Sequence, residues 1–207
     1  PWSLLERGRA MVAMGFDLPP QPGYPHALQL RVSHWLSDDG LNVRQTVTNS
    51  GDTPAPYGAG CHPYLSGGGG KLDGWTLEVP AATRLVMDGS AIPVGREPVS
   101  GDFDFRTPRA IGAARLDTAY TDLERDSGGV CTVRVGVEGG GVELWLDATH
   151  PYVMVFSGDT LAPPRRRHGL AVEPMTCAPN AFNSGEGLII LQPGETFTSA
   201  WGIRAVR

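Results

Sequence analysis

The chain has 207 residues, a formal net charge of −5, and 41% hydrophobic against 19% charged residues. This balance suits a globular core and argues against disorder, and the acidic excess leaves no electrostatic footprint for nucleic acid or an anionic membrane. No apolar run approaches the roughly 18 residues that a membrane-spanning helix needs. Glycine (28) and proline (18) punctuate the chain densely, which suits short strands joined by turns rather than long helices. Cys61, Cys131 and Cys177 form an odd, sparse set without C-x-x-C spacing. They support neither a zinc site nor a disulfide framework, and the default expectation is a reducing cytoplasm. The chain opens on Pro1-Trp2 rather than Met, and no signal peptide is read.

In chain order, Pro1 to Met14 is one of two places that could hold a helical turn, although it lacks sustained 3.6-residue periodicity. Ala27 to Leu36 alternates, with Leu28, Leu30 and Val32 on one face, and Leu41 to Thr48 alternates through Leu41, Val43 and Val47. Asp38-Asp39-Gly40 between them predicts a hairpin. Trp75 to Val79 and Thr83 to Met87 read as short strands, and residues 88–115 as a long loop with brief strands. Val130 to Val137 and Val142 to Asp147 flank Glu138-Gly139-Gly140-Gly141, a second hairpin. Tyr152 to Phe156, Gly169 to Glu173, Leu188 to Leu191 and Phe197 to Val206 complete the strands, with a type II turn expected at Pro193-Gly194. Ala178 to Ser184 is the second place for a helical turn. No linker divides residues 1–207, so a single domain is expected.

Few residues carry chemistry. His62 lies in Gly58-Ala59-Gly60-Cys61-His62-Pro63-Tyr64. The following proline holds it extended, the small residues before it permit close approach, and an imidazole at a strand end suits a general acid near neutral pH. A hydrogen-bonded structural histidine is the competing reading. Glu173 ends an apolar strand, and alternation puts it on the face of Ala171, opposite Leu170 and Val172. A partly buried carboxylate there is either paired or raised in pKa, and both outcomes suit a general base. An exposed strand-end glutamate is the plainer alternative. Asp117 could accept hydrogen bonds from hydroxyls or cap an Asx turn. His150, which also precedes Pro-Tyr, follows a hairpin exit and suits a turn role. Cys61 points away from His62 by strand alternation, which disfavours a thiol nucleophile. Arg165-Arg166-Arg167 is the one basic run, suited either to a solvated loop or to a sugar phosphate. No nucleotide-binding or metalloprotease motif is present, and neither a metal nor a cofactor is expected.

Gly60-Cys61-His62-Pro63-Tyr64, Leu116 to Tyr120 (LDTAY), Tyr152 to Asp159 (YVMVFSGD), Gly169 to Ser184 (GLAVEPMTCAPNAFNS) and Leu188 to Glu195 (LIILQPGE) occur in the order seen in aldose 1-epimerases. From about Leu28 onward the chain resembles this galactose mutarotase-like family. The resemblance implies an all-β antiparallel supersandwich that binds a monosaccharide, a hexose. It implies His62 as the acid that protonates the ring oxygen, Glu173 as the base at the anomeric hydroxyl, and Asp117 as a hydrogen-bond partner of sugar hydroxyls. An earlier family portion, with an arginine and a second histidine, has no match here, so N-terminal strands are expected to be missing. The implied activity is anomer interconversion of a free hexose, without nucleic-acid or membrane partners and with oligomeric state open. A hexose-phosphate mutarotase and a non-catalytic carbohydrate-binding domain are the alternatives. The acid and the base are expected to stand apart, straddling a sugar ring.

Overall fold

The computed structural model describes residues 1–137 and 139–206. Glu138, which the sequence puts in the turn of the glycine-rich hairpin, lies outside the described residues. The strands run in chain order as β1 (Ser3–Arg7), β2 (Met11–Leu18), β3 (Leu28–Ser37), β4 (Gly40–Asn49), β5 (Ala55–Tyr57), β6 (Tyr64–Leu65), β7 (Thr76–Glu78), β8 (Ala81–Met87) and β9 (Pro93–Pro98). They continue as β10 (Arg109–Ala110), β11 (Asp117–Leu123), β12 (Cys131–Val137), β13 (Gly140–Leu146), β14 (Tyr152–Phe156), β15 (Leu170–Met175), β16 (Ile189–Leu191) and β17 (Thr196–Val206). One four-residue helix, α1 (Ala181–Ser184), falls where the sequence allowed a helical turn.

A nine-stranded sheet has the order β1-β2-β3-β4-β17-β13-β12-β7-β10, and a six-stranded sheet the order β6-β15-β14-β11-β8-β9. β16 and β5 form a small third sheet. Every strand pair is antiparallel. Both expected hairpins form. In the first, Ser37 pairs with Gly40 around Asp38-Asp39. Gly40 has φ 105°, and a Cβ there would stand 2.2 Å from the Ile203 carbonyl oxygen as β17 passes, so only glycine fits. The Pro193-Gly194 turn closes through Glu195 N–H to Gln192 C=O at 2.9 Å, with Gly194 at the positive φ of 77° that a type II turn requires.

The N-terminal segment departs from expectation. Pro1 to Met14 holds β1 and the start of β2 in place of a helical turn. Met11-Val-Ala-Met-Gly-Phe-Asp-Leu is apolar at nearly every position, so no period of two is visible in it. The strand is imposed by pairing of its full length with β3, from Met11 opposite Trp35 to Leu18 opposite Leu28.

The two large sheets pack face to face. Val43, Leu77, Val133, Val135, Leu144, Leu146 and Trp201 from one meet Leu65, Tyr120, Val153, Val155, Leu170 and Val172 from the other. Trp75, Phe105, Ile111 and Leu116 fill the space between. Each such side chain, fully buried, contributes about 1.5–3 kcal/mol by leaving water. Because side chains alternate, the residues between these on β11, β14 and β15 face outward. There Ala119, Tyr152, Met154 and Met175 form a separate apolar layer with Leu85, Met87 and Ala178. The outward face of the six-stranded sheet carries the candidate site.

Candidate functional site

Leu170 and Val172 are fully buried in the core, so alternation turns Glu173 to the outer face. A neighbouring stretch of chain runs antiparallel to β15. Gly60 bridges Met175, Cys61 N–H donates to Pro174 C=O at 3.2 Å, and Val172 N–H donates to Pro63 C=O at 3.2 Å. Tyr64 and Leu65 then pair with Ala171 and Leu170. This uninterrupted register sets His62 directly opposite Glu173. Thr176 fastens the start of the stretch: its Oγ1 accepts from Ala59 N–H at 2.8 Å, and its own N–H donates to Ala59 C=O at 2.8 Å. Gly58 permits this close approach, since a Cβ there would lie 2.4 Å from Cys177 Sγ.

His62 Nε2 lies 3.1 Å from Glu173 Oε1, the His62 side chain being 54% exposed and that of Glu173 only 16%. The expectation that the two would stand apart across a sugar ring is therefore corrected. They converge, and in this structure they touch, because cross-strand neighbours on one face have Cβ atoms only about 4.5–5.5 Å apart. Burial lifts the Glu173 carboxyl above its usual range. The facing His62 pulls it back in part, and the negative charge of Asp117 adds to the rise.

Asp117 opens β11 as its first residue, rather than sitting in a free turn, and it is exposed. It pairs with Phe156, which pairs with Ala171, two residues before Glu173. Asp117, Phe156, Met154 and Glu173 thus share the outer face, with the carboxylates at opposite ends of a short apolar floor. By strand spacing, the Cα atoms of Asp117 and Glu173 are roughly 12 Å apart, two strands across and two residues along. All three sequence-predicted site residues therefore lie on one surface.

The sequence reasoning passed over Tyr64. Its ring stacks on His62 with centroids 5.0 Å apart and planes 23° from parallel. The signal was present in His62-Pro63-Tyr64, because residues i and i+2 of an extended chain share a face. A second unforeseen feature is Glu186, which accepts from Arg96 at 2.5 Å and from Tyr152 Oη at 2.8 Å. These bonds hold the segment after α1 against the outer face.

Other candidates resolve into structural roles. Cys61 points to the core side, where Gln45 Nε2 donates to its Sγ at 3.4 Å, and burial raises its thiol pKa, opposite to what a thiolate nucleophile needs. His150 is buried, with Nδ1 2.9 Å from Asp147 Oδ1, and its carbonyl accepts from Arg125 Nη2 at 2.7 Å, so it serves the turn. Arg167 is committed inward to Asp73, Asp159 and the carbonyls of Gly112 and Ala114. Among the described residues no group of three His, Cys, Asp or Glu side chains is placed to hold a metal ion, and no helix is long and apolar enough to cross a membrane.

The chain matches the family model described as aldose 1-epimerase over residues 1–204. It is 32% identical over 210 residues to the Escherichia coli K12 protein YihR, described as uncharacterized, a match covering 94% of this chain and 61% of YihR. It is 26% identical over 185 residues to YphB of the same organism, also described as uncharacterized, covering 82% of this chain and 57% of YphB. The chain thus spans about three-fifths of the length of these curated relatives. Among solved structures, a GalM/aldose epimerase homologue from Caenorhabditis elegans superimposes with TM-score 0.84 at 19% identity, covering 99% of this chain and 68% of that one. A galactose mutarotase-like protein from Clostridium acetobutylicum gives TM-score 0.81 at 17% identity, covering 99% and 66%. At these identities the structural likeness establishes the supersandwich fold.

Proposed function

This chain belongs to the aldose 1-epimerase family, and from that premise we propose that it interconverts the α and β anomers of a free hexose by acid–base opening and closing of the ring. The observation that carries the reading is the register-enforced pairing of His62 with Glu173 on the face that also bears Asp117.

Ring opening needs a proton taken from the anomeric hydroxyl and a proton given to the ring oxygen. Glu173 accepts the first as the C1–O1 bond becomes a carbonyl. The C1–O5 bond breaks, and its electron pair leaves on O5, which takes a proton from protonated His62. Rotation about C1–C2 presents the other carbonyl face, O5 re-attacks, and both protons return. Nothing is oxidised or transferred, so the two side chains suffice. A carboxyl raised by burial is a stronger base than an ordinary one, which suits removal of a hydroxyl proton near neutral pH.

The apolar floor of Met154 and Phe156 supports the flat underside of a pyranose, and Asp117 supports hydrogen bonding to hydroxyls at its far side. His62 is the mobile partner, since it is half exposed while Glu173 is not. Substrate enters by parting the pair. The three free thiols support a reducing compartment, the cytoplasm, as the place of work. Polarimetry on freshly dissolved α-anomer with the full chain tests the reading. Decay well above the spontaneous rate is expected. Sugar binding seen by NMR with no gain in anomer exchange would overturn it in favour of a non-catalytic carbohydrate-binding role.

A further inference from the structure

We propose that Arg96 is a substrate-binding residue of the sugar site, donating hydrogen bonds to ring hydroxyls remote from C1 and so reading which of them are present. The inference rests on the mutarotase reading for the place of C1, and it deepens that reading by naming a residue that selects the hexose.

Arg96 lies on β9, the far edge of the six-stranded sheet, where it pairs with Leu85. Cross-strand partners share a face. Leu85 belongs to the outward apolar layer with Ala119 and Met154, and Met154 pairs with both Ala119 and Glu173. Glu173 and Arg96 therefore close opposite ends of one row, with Met154, Ala119 and Leu85 between them. By strand spacing their Cα atoms stand roughly 19 Å apart. The side chain shortens that span. Arg96 Nη2 donates to Tyr152 Oη at 3.3 Å, and Tyr152 is rooted in β14, the strand beside Glu173. A tyrosine reaches little farther than one strand spacing, so the guanidinium leans back across the sheet instead of leaving its edge. Burial agrees: Ala119 and Leu85 face outward yet are 0% and 1% exposed, which fits residues roofed by Tyr152 and Arg96. The cationic head thus comes within roughly 10–15 Å of the Glu173 strand, two to three strand spacings, a gap that a hexopyranose hydrogen-bonded at both ends fills. Asp117, on β11 two residues before Ala119, is the third corner.

The head is held but not used up. Nη2 also donates to Glu186 Oε1 at 2.5 Å, and Tyr152 Oη donates to the same oxygen at 2.8 Å. This closed ring of contacts fixes the guanidinium. Among the described residues Nε and Nη1 have no partner, and the Arg96 side chain remains 46% exposed. Glu186 in contact and Asp122 nearby balance the Arg96 charge. The free N–H groups therefore suit neutral hydroxyl oxygens rather than an anion, in keeping with an uncharged hexose. A hydroxyl both donates and accepts, whereas an ionised carboxylate only accepts and a guanidinium only donates. Asp117 and Arg96 thus read opposite halves of what the sugar offers, while His62 and Glu173 hold the anomeric end.

The test is NMR titration of the full chain and of Arg96→Met with glucose, galactose and the monodeoxy glucoses. Methionine keeps the apolar stem over Leu85 and removes every donor. Glucose affinity should fall about tenfold or more in the variant, the size of a hydrogen bond to a charged group. The deoxy sugar that lacks the contacted hydroxyl should bind the parent and the variant alike, while the other deoxy sugars keep the fall. Arg96→Lys, which retains a cation for Glu186 but loses the fork, should show the same pattern in smaller degree. An unchanged glucose affinity would overturn the assignment. So would an equal fall for every deoxy sugar in both variants, the mark of a wall loosened through Glu186 rather than of a direct contact. Polarimetry on the same samples separates the two readings. Anomer exchange with an affinity indifferent to Arg96 leaves mutarotation standing without this contact. A hydroxyl-selective loss with no anomer exchange leaves the contact standing and removes mutarotation. A parent that binds neither glucose nor galactose overturns both.

Discussion

His62 stands directly across a strand pair from Glu173, with Nε2 3.1 Å from Oε1. The contact is a consequence of register. Hydrogen bonds on both sides, Cys61 N–H to Pro174 C=O and Val172 N–H to Pro63 C=O, hold the two backbones in step, so both side chains leave on one face. Under the proposed mechanism the resting site is a closed acid–base pair, with the less exposed Glu173 carboxylate as its fixed member.

Glu173→Gln keeps the shape and removes the base of the proposed mechanism. Mutarotation should fall about 10²–10⁴-fold, the usual contribution of a positioned acid or base, with sugar affinity little changed. Polarimetry and a binding titration on the same preparation measure the two separately. Activity within a few-fold of the parent protein would show that the proton leaves by another route.

Because burial raises the Glu173 carboxyl, the acid limb of the pH–rate profile should lie above the ordinary carboxylate value of 4.5. A basic limb should follow loss of the proton that the mechanism gives to O5, giving a bell. Stability should carry the same signature with definite sign. A carboxyl whose folded pKa is raised favours the fold while protonated, below the unfolded pKa, and this advantage is lost as pH rises through the folded value. Glu173→Gln should therefore gain thermal stability over the parent at pH 7 and lose that gain as pH falls from the raised folded value to the unfolded one of about 4.5. Melting curves across pH check this. A gain independent of pH would mean that Glu173 is not the group responsible.

Tyr64 holds the imidazole by stacking while being half exposed itself, so its loss should cost activity more than stability. Tyr64→Ala should lower kcat by about tenfold or more through misplacement of His62, with KM changed less. Tyr64→Phe keeps the ring and should restore kcat. Equal losses in the two variants would argue for a role of the hydroxyl instead.

Thr176 is buried and ties Ala59 to β15 by two hydrogen bonds beyond the backbone ladder. Thr176→Val leaves the Ala59 N–H without its partner and should cost about 1–3 kcal/mol. For a chain of this length that is a fall in Tm of roughly 2–12 °C. The stretch carrying His62 should loosen as well, so hydrogen exchange across residues 58–64 should speed up. Unchanged exchange there would separate the stability effect from the site.

Much of this protein is legible in its residues. The alternation at Leu28, Leu30 and Val32 and the turn at Asp38-Asp39-Gly40 specify the first hairpin. Leu170-Ala171-Val172-Glu173 shows by itself that a carboxylate leaves the core face, because a strand has a period of two. Pro193-Gly194 names its own turn type. Alternation likewise separates Cys61 from His62, and the structure bears this out. These features are local, and local sterics and burial decide them. Met11 to Leu18 was opaque because its apolar residues occupy both faces, and only the pairing with β3 makes it a strand. The distance between His62 and Glu173 was equally hidden. Sequence periodicity tells which face a residue takes but not which residue it meets, since the 110 positions between 62 and 173 are closed by long-range hydrogen bonds that no local pattern encodes. The same holds for Arg165 to Arg167. Three identical side chains in a row acquire different fates, Arg167 welded inward and Arg166 exposed with a single bond to the Leu161 carbonyl, because partners from distant loops reach only some of them.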